Sequence, residues 1–536
     1  MSAANAVLVD GASGAPSGRG DAMLILYGDS VRAKDTAPLA ALQAFLREHV
    51  GDAFGRLHLL PFFPSSSDDG FAVVDYRRVD HALGGWGHIE EIARDYEPMF
   101  DLVLNHCSRE HLWFADFVSG RDPGRHYFIT LSEGSDTSRV VRPRSSPVVT
   151  NVPTYAGIRH VWTTFSADQV DLNFANPDVL FEMADILLFY VERGARLVRL
   201  DAVAFLWKRL GTSCMSLQET HVVVKILRVL LERLRVAVTL ITETNVPHAE
   251  NISYFGAGDE AHAVYQFPLA PLMLHSYLFG DATAFSRWGA ALEPPPPGCS
   301  VMNFIASHDG IGLRPLEGLL PAAAIDRLVG RIHERGGFVA MRDAGGGQER
   351  PYELNITLFS AFGGERSNLP AFIGAHQLLV ALQGWPGIYL QALLARPNDL
   401  QNVERTGRTR SINRGYLDLD ELRAELADDD SISAIALHAI TRALRVRAEL
   451  PALAASVPQA FLQVPAGVIA LRRDAPTGAA LWVIASVRDE RQRVELATLG
   501  MPPGNYVDRL TGAVWSLEIE MALPPFATLW LMAAEP

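Results

Sequence analysis

The stretch Arg196–Ala204, RLVRLDAVA, decides how this 536-residue chain is read. As a strand it puts Arg199 and Asp201 on one face and Leu200 on the other, because side chains alternate along a pleated backbone. A guanidinium two residues before a carboxylate favours the ionised acid and is expected to lower its pKa. That suits a carboxylate nucleophile, which has to stay deprotonated at neutral pH. A strand-end ion pair has the same spacing, so the assignment depends on what the rest of the chain adds.

Similar runs, short and apolar with polar ends, recur at Met23–Asp29, Leu57–Phe63, Asp101–His106, Val238–Asn245, Ala261–Phe267, Val301–Asp309 and Pro386–Leu394. With Arg196–Val203 they make eight candidate strands alternating with amphipathic stretches, the pattern of β/α units around a parallel sheet. The expected fold class is α/β, a (β/α)8 TIM barrel with an inserted lid subdomain and a C-terminal antiparallel β domain. Helical periodicity is clear over Pro177–Arg193, with Asn176 as cap and Pro177 in the first turn, and again over Leu217–Arg235. Polar groups collect where the runs end: Asp29, Asn105, His106, Asp201, Glu243, His308 and Asp309. Barrel enzymes build their sites at that end of the strands, and core packing gives no reason for charge to gather there.

Residues 1–21, rich in Gly, Ala and Ser, lack the basic start and apolar core of a signal peptide and read as a disordered leader. A catalytic barrel is expected over 22–450, interrupted at about 108–170 by an insertion too long for a simple connection. Long loops are expected at about 336–368 and 395–430, the first mobile because it carries AGGGQER and FGGERSN. No GK[ST] follows the glycine run, so it is not a phosphate cradle. From 451 to 536, short β-type runs separated by turn residues predict the antiparallel domain.

Hydrophobic residues at 49% and charged residues at 20% describe a globular chain. A formal charge of −14 argues against nucleic acid or an anionic membrane as partner. Cys107, Cys214 and Cys299 are too few and too scattered for a disulfide framework or a zinc site, and they fit a reducing compartment. No apolar run reaches membrane-spanning length. The chain reads as a soluble, cytoplasmic protein without a metal, with a homodimer left open.

Asp201, Glu243 and Asp309 close three of the candidate strands. Cleaving a glycosidic bond with retention needs a nucleophilic carboxylate and a protonated carboxylic acid about 5 Å apart. A third acid raises the pKa of the acid/base by like-charge proximity and holds sugar hydroxyls. His106 and His308 can donate hydrogen bonds to a sugar, although a buried histidine is more often a core residue satisfied by its neighbours.

DLVLNH (Asp101–His106), RLVRLD (Arg196–Asp201), ITETN (Ile241–Asn245) and ASHD (Ala306–Asp309) resemble four short blocks of the α-amylase superfamily, glycoside hydrolase family 13. QVDLN (Gln169–Asn173) resembles a fifth, and LPFFPSSSDDGFAVVDY (Leu60–Tyr76) is similar to the sucrose phosphorylase-like branch. LLARPNDLQNVERTGRTRSINR (Leu393–Arg414) looks more like the subgroup that phosphorolyses 2-O-α-glucosylglycerate. The resemblance implies Asp201 as nucleophile, Glu243 as acid/base and Asp309 as transition-state stabiliser. Around the sugar it implies Arg199, His106, His308 and Gln169, Phe71 as an aromatic platform, and Asp68, paired with Arg414, on the far glucose hydroxyls. It implies no cofactor, with inorganic phosphate as co-substrate, a small α-glucoside as donor and α-glucose 1-phosphate as product. An anionic glycerate leaving group calls for a basic acceptor site; Arg142 and Arg144, with Arg405–Arg410, supply five arginines from two loops. Phosphorolysis of sucrose or sucrose 6'-phosphate, and hydrolysis or transglucosylation of α-glucosides, share the catalytic residues and differ in loops.

Overall fold

In a computed structural model, which describes residues 20–144, 146–343 and 349–534, the eight apolar runs close a parallel barrel. Its strands are β1 Met23–Leu26, β2 Arg56–Leu59, β3 Glu97–Val103, β4 Leu197–Asp201, β5 Thr239–Thr242, β6 Ala263–Tyr265, β7 Ser300–Phe304 and β8 Trp385–Tyr389. Their order around the barrel is their order in the chain, and β8 closes on β1 with Ile388 beside Leu24. All five residues of β4 are buried. Helices cover the outside and side chains fill the inside, so these strands are buried on both faces and show no apolar–polar alternation.

The paired strands stop earlier than the apolar runs suggest. Asp29, Glu243 and Asp309 lie beyond the last paired residues of β1, β5 and β7, in loops at the barrel mouth. The helix Pro177–Glu192 begins at Asn176, whose side chain accepts from the Asp178 amide at 3.1 Å. Gln218–Arg233 forms the helix after β4. Between β3 and Pro177 the insertion carries the helix Leu112–Ser119 and a small antiparallel sheet of Thr130–Leu131, Val149–Thr154 and Gly157–Trp162. Its last strand, Gln169–Asp171, runs antiparallel to His106–Ser108, returning Gln169 to the barrel mouth.

Two expectations are corrected. The stretch 336–368 is not a plain loop: Phe338–Asp343 and Glu349–Asn355 form a hairpin, joined by Ile311–Gly312 and followed by the helix Leu358–Phe362. Pro351 and the charges around it mask that strand in the sequence; the three glycines of AGGGQER lie outside the described residues. The stretch 395–430 holds two short helices, Leu400–Thr406 and Leu419–Leu426. Most of the expected leader also lies outside the described residues, but its last residue, Asp21, accepts two hydrogen bonds from Arg447 at 2.9 Å.

Beyond the barrel a six-stranded antiparallel sheet includes Val468–Asp474, Ala480–Ser486 and Thr528–Ala533. Alternation sorts its faces. Ile469, Leu471, Leu481 and Val483 join the barrel's core, whereas Val468, Ala470, Trp482 and Ile484 build a second core on the other side. Among the described residues no helix is long and apolar enough to cross a membrane.

Candidate active site

The parallel register sets Arg199 of β4 beside Asp101 of β3. Arg199 Nη1 donates to Asp101 and, at 2.8 Å, to Asp201, while Nη2 stands 3.9 Å from Glu243 Oε2. His58 Nε2 of β2 holds the other Asp101 oxygen at 2.7 Å. One buried guanidinium therefore links four adjacent strands or their ends. Burial pushes the Asp101 carboxyl up, but His58 and Arg199 together hold it at about 2. Directly after Asp201 the backbone turns through a left-handed residue, Ala202 (φ 52), whose amide donates to Glu243 Oε2 at 3.3 Å.

The expected depression of Asp201 does not appear. Burial pushes its carboxyl well above the usual range; Arg199 offsets this only in part and Glu243 adds to it. Burial raises Glu243 too, with Arg199 opposing and the Asp309 charge reinforcing. Two buried carboxyls sharing one guanidinium retain a proton between them. Of the two, Asp201 accepts from Arg199 at 2.8 Å, whereas Glu243 lies 3.9 Å from that group and accepts from the Ala202 amide. Asp309 behaves oppositely. Against burial, Arg410 (2.7 Å), His308 and Arg414 hold its carboxyl well below the usual range, so it stays anionic.

On one side of these acids, Gln169 Nε2 donates to Asp68 Oδ2 at 3.1 Å and His106 Nε2 lies 3.0 Å from the Phe71 carbonyl. Phe71 stacks on His308 at 5.2 Å with the rings 10° from parallel. Burial lowers His106 and takes His308 down to about 3, so both rings are neutral hydrogen-bonding groups at neutral pH. The expected Arg414–Asp68 pair is corrected: Arg414 Nη1 donates to Asp69, and Nε donates to the His308 carbonyl at 2.8 Å. Asp68 and Asp69 both adopt left-handed backbone (φ 54 and 49), and of the two only Asp68 lines the cavity.

Of the five loop arginines, only Arg144 and Arg410 line the cavity. The expectation for Arg142 is corrected: it donates to the Thr163 and Thr164 carbonyls at 3.3 and 3.1 Å, which holds the insertion together. Arg405 turns to Asn402 at 2.6 Å and Arg408 to Asp69 at 3.3 Å. Several residues missed in the sequence complete the wall. The hairpin brings Glu353, which grips Arg410 through both oxygens at 2.9 and 2.6 Å, and Tyr352, whose hydroxyl accepts from Asn245 at 3.3 Å. Only the alternation of Tyr352 and Leu354 could have announced that strand. Arg314 also lines the cavity. Behind His106, the buried Lys208 ties Asn105 (2.6 Å) to Asp171 (2.7 Å).

The three carboxylates, Asp68, both histidines and Arg144 thus face one cavity of about 100 Å³. At about 10–15 Å³ per water, that is room for one sugar ring rather than a polysaccharide chain. Among the described residues no cluster of His, Cys, Asp or Glu could hold a metal ion.

Residues 53–284 match the family model of the α-amylase catalytic domain. The chain belongs to the α-amylase family. A glucosylglycerate phosphorylase of Spirochaeta thermophila is 45% identical over 85% of this chain and 78% of its own length. The glucosylglycerate phosphorylase of Escherichia coli is 37% identical over 95% of this chain and 91% of its own. The crystal structure of sucrose 6F-phosphate phosphorylase from Thermoanaerobacter thermosaccharolyticum shares the fold, with a TM-score of 0.77 at 23% identity over 88% of this chain and 94% of that one.

Proposed function

We propose that this chain is a retaining glycoside phosphorylase that transfers the glucosyl group of 2-O-α-glucosylglycerate to inorganic phosphate, releasing glycerate and α-glucose 1-phosphate. The observation that carries this reading is the single guanidinium held between Asp201 and Glu243 in a cavity of one-hexose size. Asp201, oriented by Arg199, attacks the anomeric carbon while Glu243 gives its proton to the departing glycerate oxygen. Phosphate then attacks the glucosyl-Asp201 ester, Glu243 takes back a proton, and the second inversion restores the α configuration. Asp309, held anionic by Arg410, stabilises the positive charge that develops on the ring and binds sugar hydroxyls. Asp68, His106, Gln169 and His308 hold the remaining hydroxyls around Phe71. Arg144, without a carboxylate partner among the described residues, takes phosphate. Glycerate is favoured over fructose as leaving group by the high identity to relatives named for it. Three unpaired cysteines suit a cytoplasmic setting.

The test is a panel of glucosylglycerate, glucosylglycerol, sucrose and sucrose 6'-phosphate, each with and without phosphate, reading glucose 1-phosphate and free glucose. Glucosylglycerate is expected to give glucose 1-phosphate only when phosphate is present. Free glucose at the same rate without phosphate makes the enzyme a hydrolase. Asp201→Asn is expected to abolish turnover of every substrate.

A further inference from the structure

The arginines in and behind the cavity wall differ in how much of their charge is already matched. Arg410 is gripped by Asp309 at 2.7 Å and by both Glu353 oxygens, and Arg414 by Asp69 and Asp309, so neither has charge to spare. Arg314, like the Arg144 proposed above to take phosphate, is different. It follows β7 in the turn Arg314–Leu316, lines the cavity, and among the described residues has no carboxylate partner. Among the described residues its side-chain hydrogen bond goes from Nη1 to the thioether of Met215 at 3.6 Å, a weak acceptor. A part-buried guanidinium left on a thioether is an unused anion site.

Its position says which anion. Met215 packs with Ala204 and Val246. Both of these residues line the cavity, and Val246 follows Glu243 by three positions. Arg314 is thus joined through Met215 to the part of the cavity wall that carries Ala204 and Val246. Asn245, between Glu243 and Val246, also lines the cavity, and its amide nitrogen donates to the Tyr352 hydroxyl at 3.3 Å. We infer that Arg314 is the specificity-determining residue of the acceptor subsite, binding the carboxylate of the leaving group. The inference builds on the proposed glycerate release and adds the residue that selects it.

The test compares wild type with Arg314→Gln and Arg314→Lys. Synthesis from α-glucose 1-phosphate is measured with glycerate, glycerol and fructose 6-phosphate as acceptors, and phosphorolysis with α-glucosyl fluoride, which carries no acceptor. Arg314→Gln is expected to lower kcat/KM for glycerate about 50-fold and leave glycerol and the fluoride within about twofold, with Arg314→Lys restoring part of the loss. The melting temperature is expected to stay unchanged, because the hydrogen bond that the side chain makes to a described residue goes to sulfur. No loss on glycerate, or an equal loss on glycerate, glycerol and the fluoride, overturns the inference. If wild type ignores glycerate but uses fructose 6-phosphate, and Arg314→Gln removes that use, the glycerate reading falls and the role of Arg314 stands. If wild type prefers glycerol, both fall.

Discussion

Asp201 and Glu243 have one guanidinium between them, and on the proposed mechanism the number of protons on the pair controls turnover. A second proton would neutralise Asp201 as nucleophile; loss of the only proton would remove Glu243 as acid. Because burial raises Glu243, the high-pH limb of kcat/KM is expected above the ordinary carboxylate range. With α-glucosyl fluoride, whose leaving group needs no proton, that limb is expected to vanish, and its persistence would assign it elsewhere. His308, taken down to about 3 by burial, contributes no limb near neutrality. Asp101 matters for the same guanidinium. Its carboxyl is held at about 2, so the stability it contributes is complete above the unfolded value of about 4 and is lost as pH falls through about 2. Asp101→Asn leaves Arg199 buried with half its partners and is expected to cost roughly 3–5 kcal/mol at pH 7. In urea titrations the gap from wild type should narrow below about pH 4; a gap constant down to pH 2 would mean the pairing is not what Asp101 supplies.

The hairpin Phe338–Asn355 completes the cavity wall, and its seat is Gly310. A Cβ there would lie 2.5 Å from the Leu354 carbonyl oxygen and 2.6 Å from Glu353 Cγ. Gly310→Ala is thus expected to push the strand outward, freeing Arg410 from Glu353 and Asn245 from Tyr352, and to lower kcat/KM by up to about 100-fold with the circular dichroism unchanged. Unaltered kinetics would show that the hairpin only covers the site. This element was the least legible in the sequence, because Pro351 and the charges before it break the strand pattern. The barrel strands were legible because both of their faces are buried and breakers bound each apolar run. Their ends were not, since pairing depends on where the neighbouring strand stops: ITETN continues after β5 has ended at Thr242. The three acids stood out as charges closing apolar runs. What stayed hidden was which of two similar neighbours faces inward. Asp68 lines the cavity while Asp69 meets Arg414, and Arg144 lines it while Arg142 meets backbone carbonyls. Local sequence does not separate such pairs; a left-handed turn or a loop's tertiary contacts do.

Barrel and C-terminal sheet meet where two buried arginines gather the carbonyls at the end of the helix Leu369–Ala381, the last helix before β8. Arg447 donates to Val380, Leu382 and Gly384, and Arg473, from the sheet strand Val468–Asp474, donates to Ala381, Ala454 and Val457 at 2.6–3.0 Å. A helix end leaves such carbonyls unsatisfied, and cations there also complement its dipole. With Ile469, Leu471, Leu481 and Val483 continuing the barrel's core, the sheet and the barrel are expected to melt in one transition. Arg473→Met strips donors from three buried carbonyls, a loss set partly against the relief of a buried charge. The net cost is expected to be about 2–3 kcal/mol, which lowers Tm by about 2–3 °C in a chain of this size. Arg473→Lys should not restore it, since an ammonium cannot span the separated carbonyls that the planar fork reaches. KM should be unchanged, because Arg473 does not line the cavity. Scanning calorimetry decides the matter: a split transition, with the barrel melting at the wild-type temperature, would show that the two layers fold independently and that the arginines merely decorate their seam.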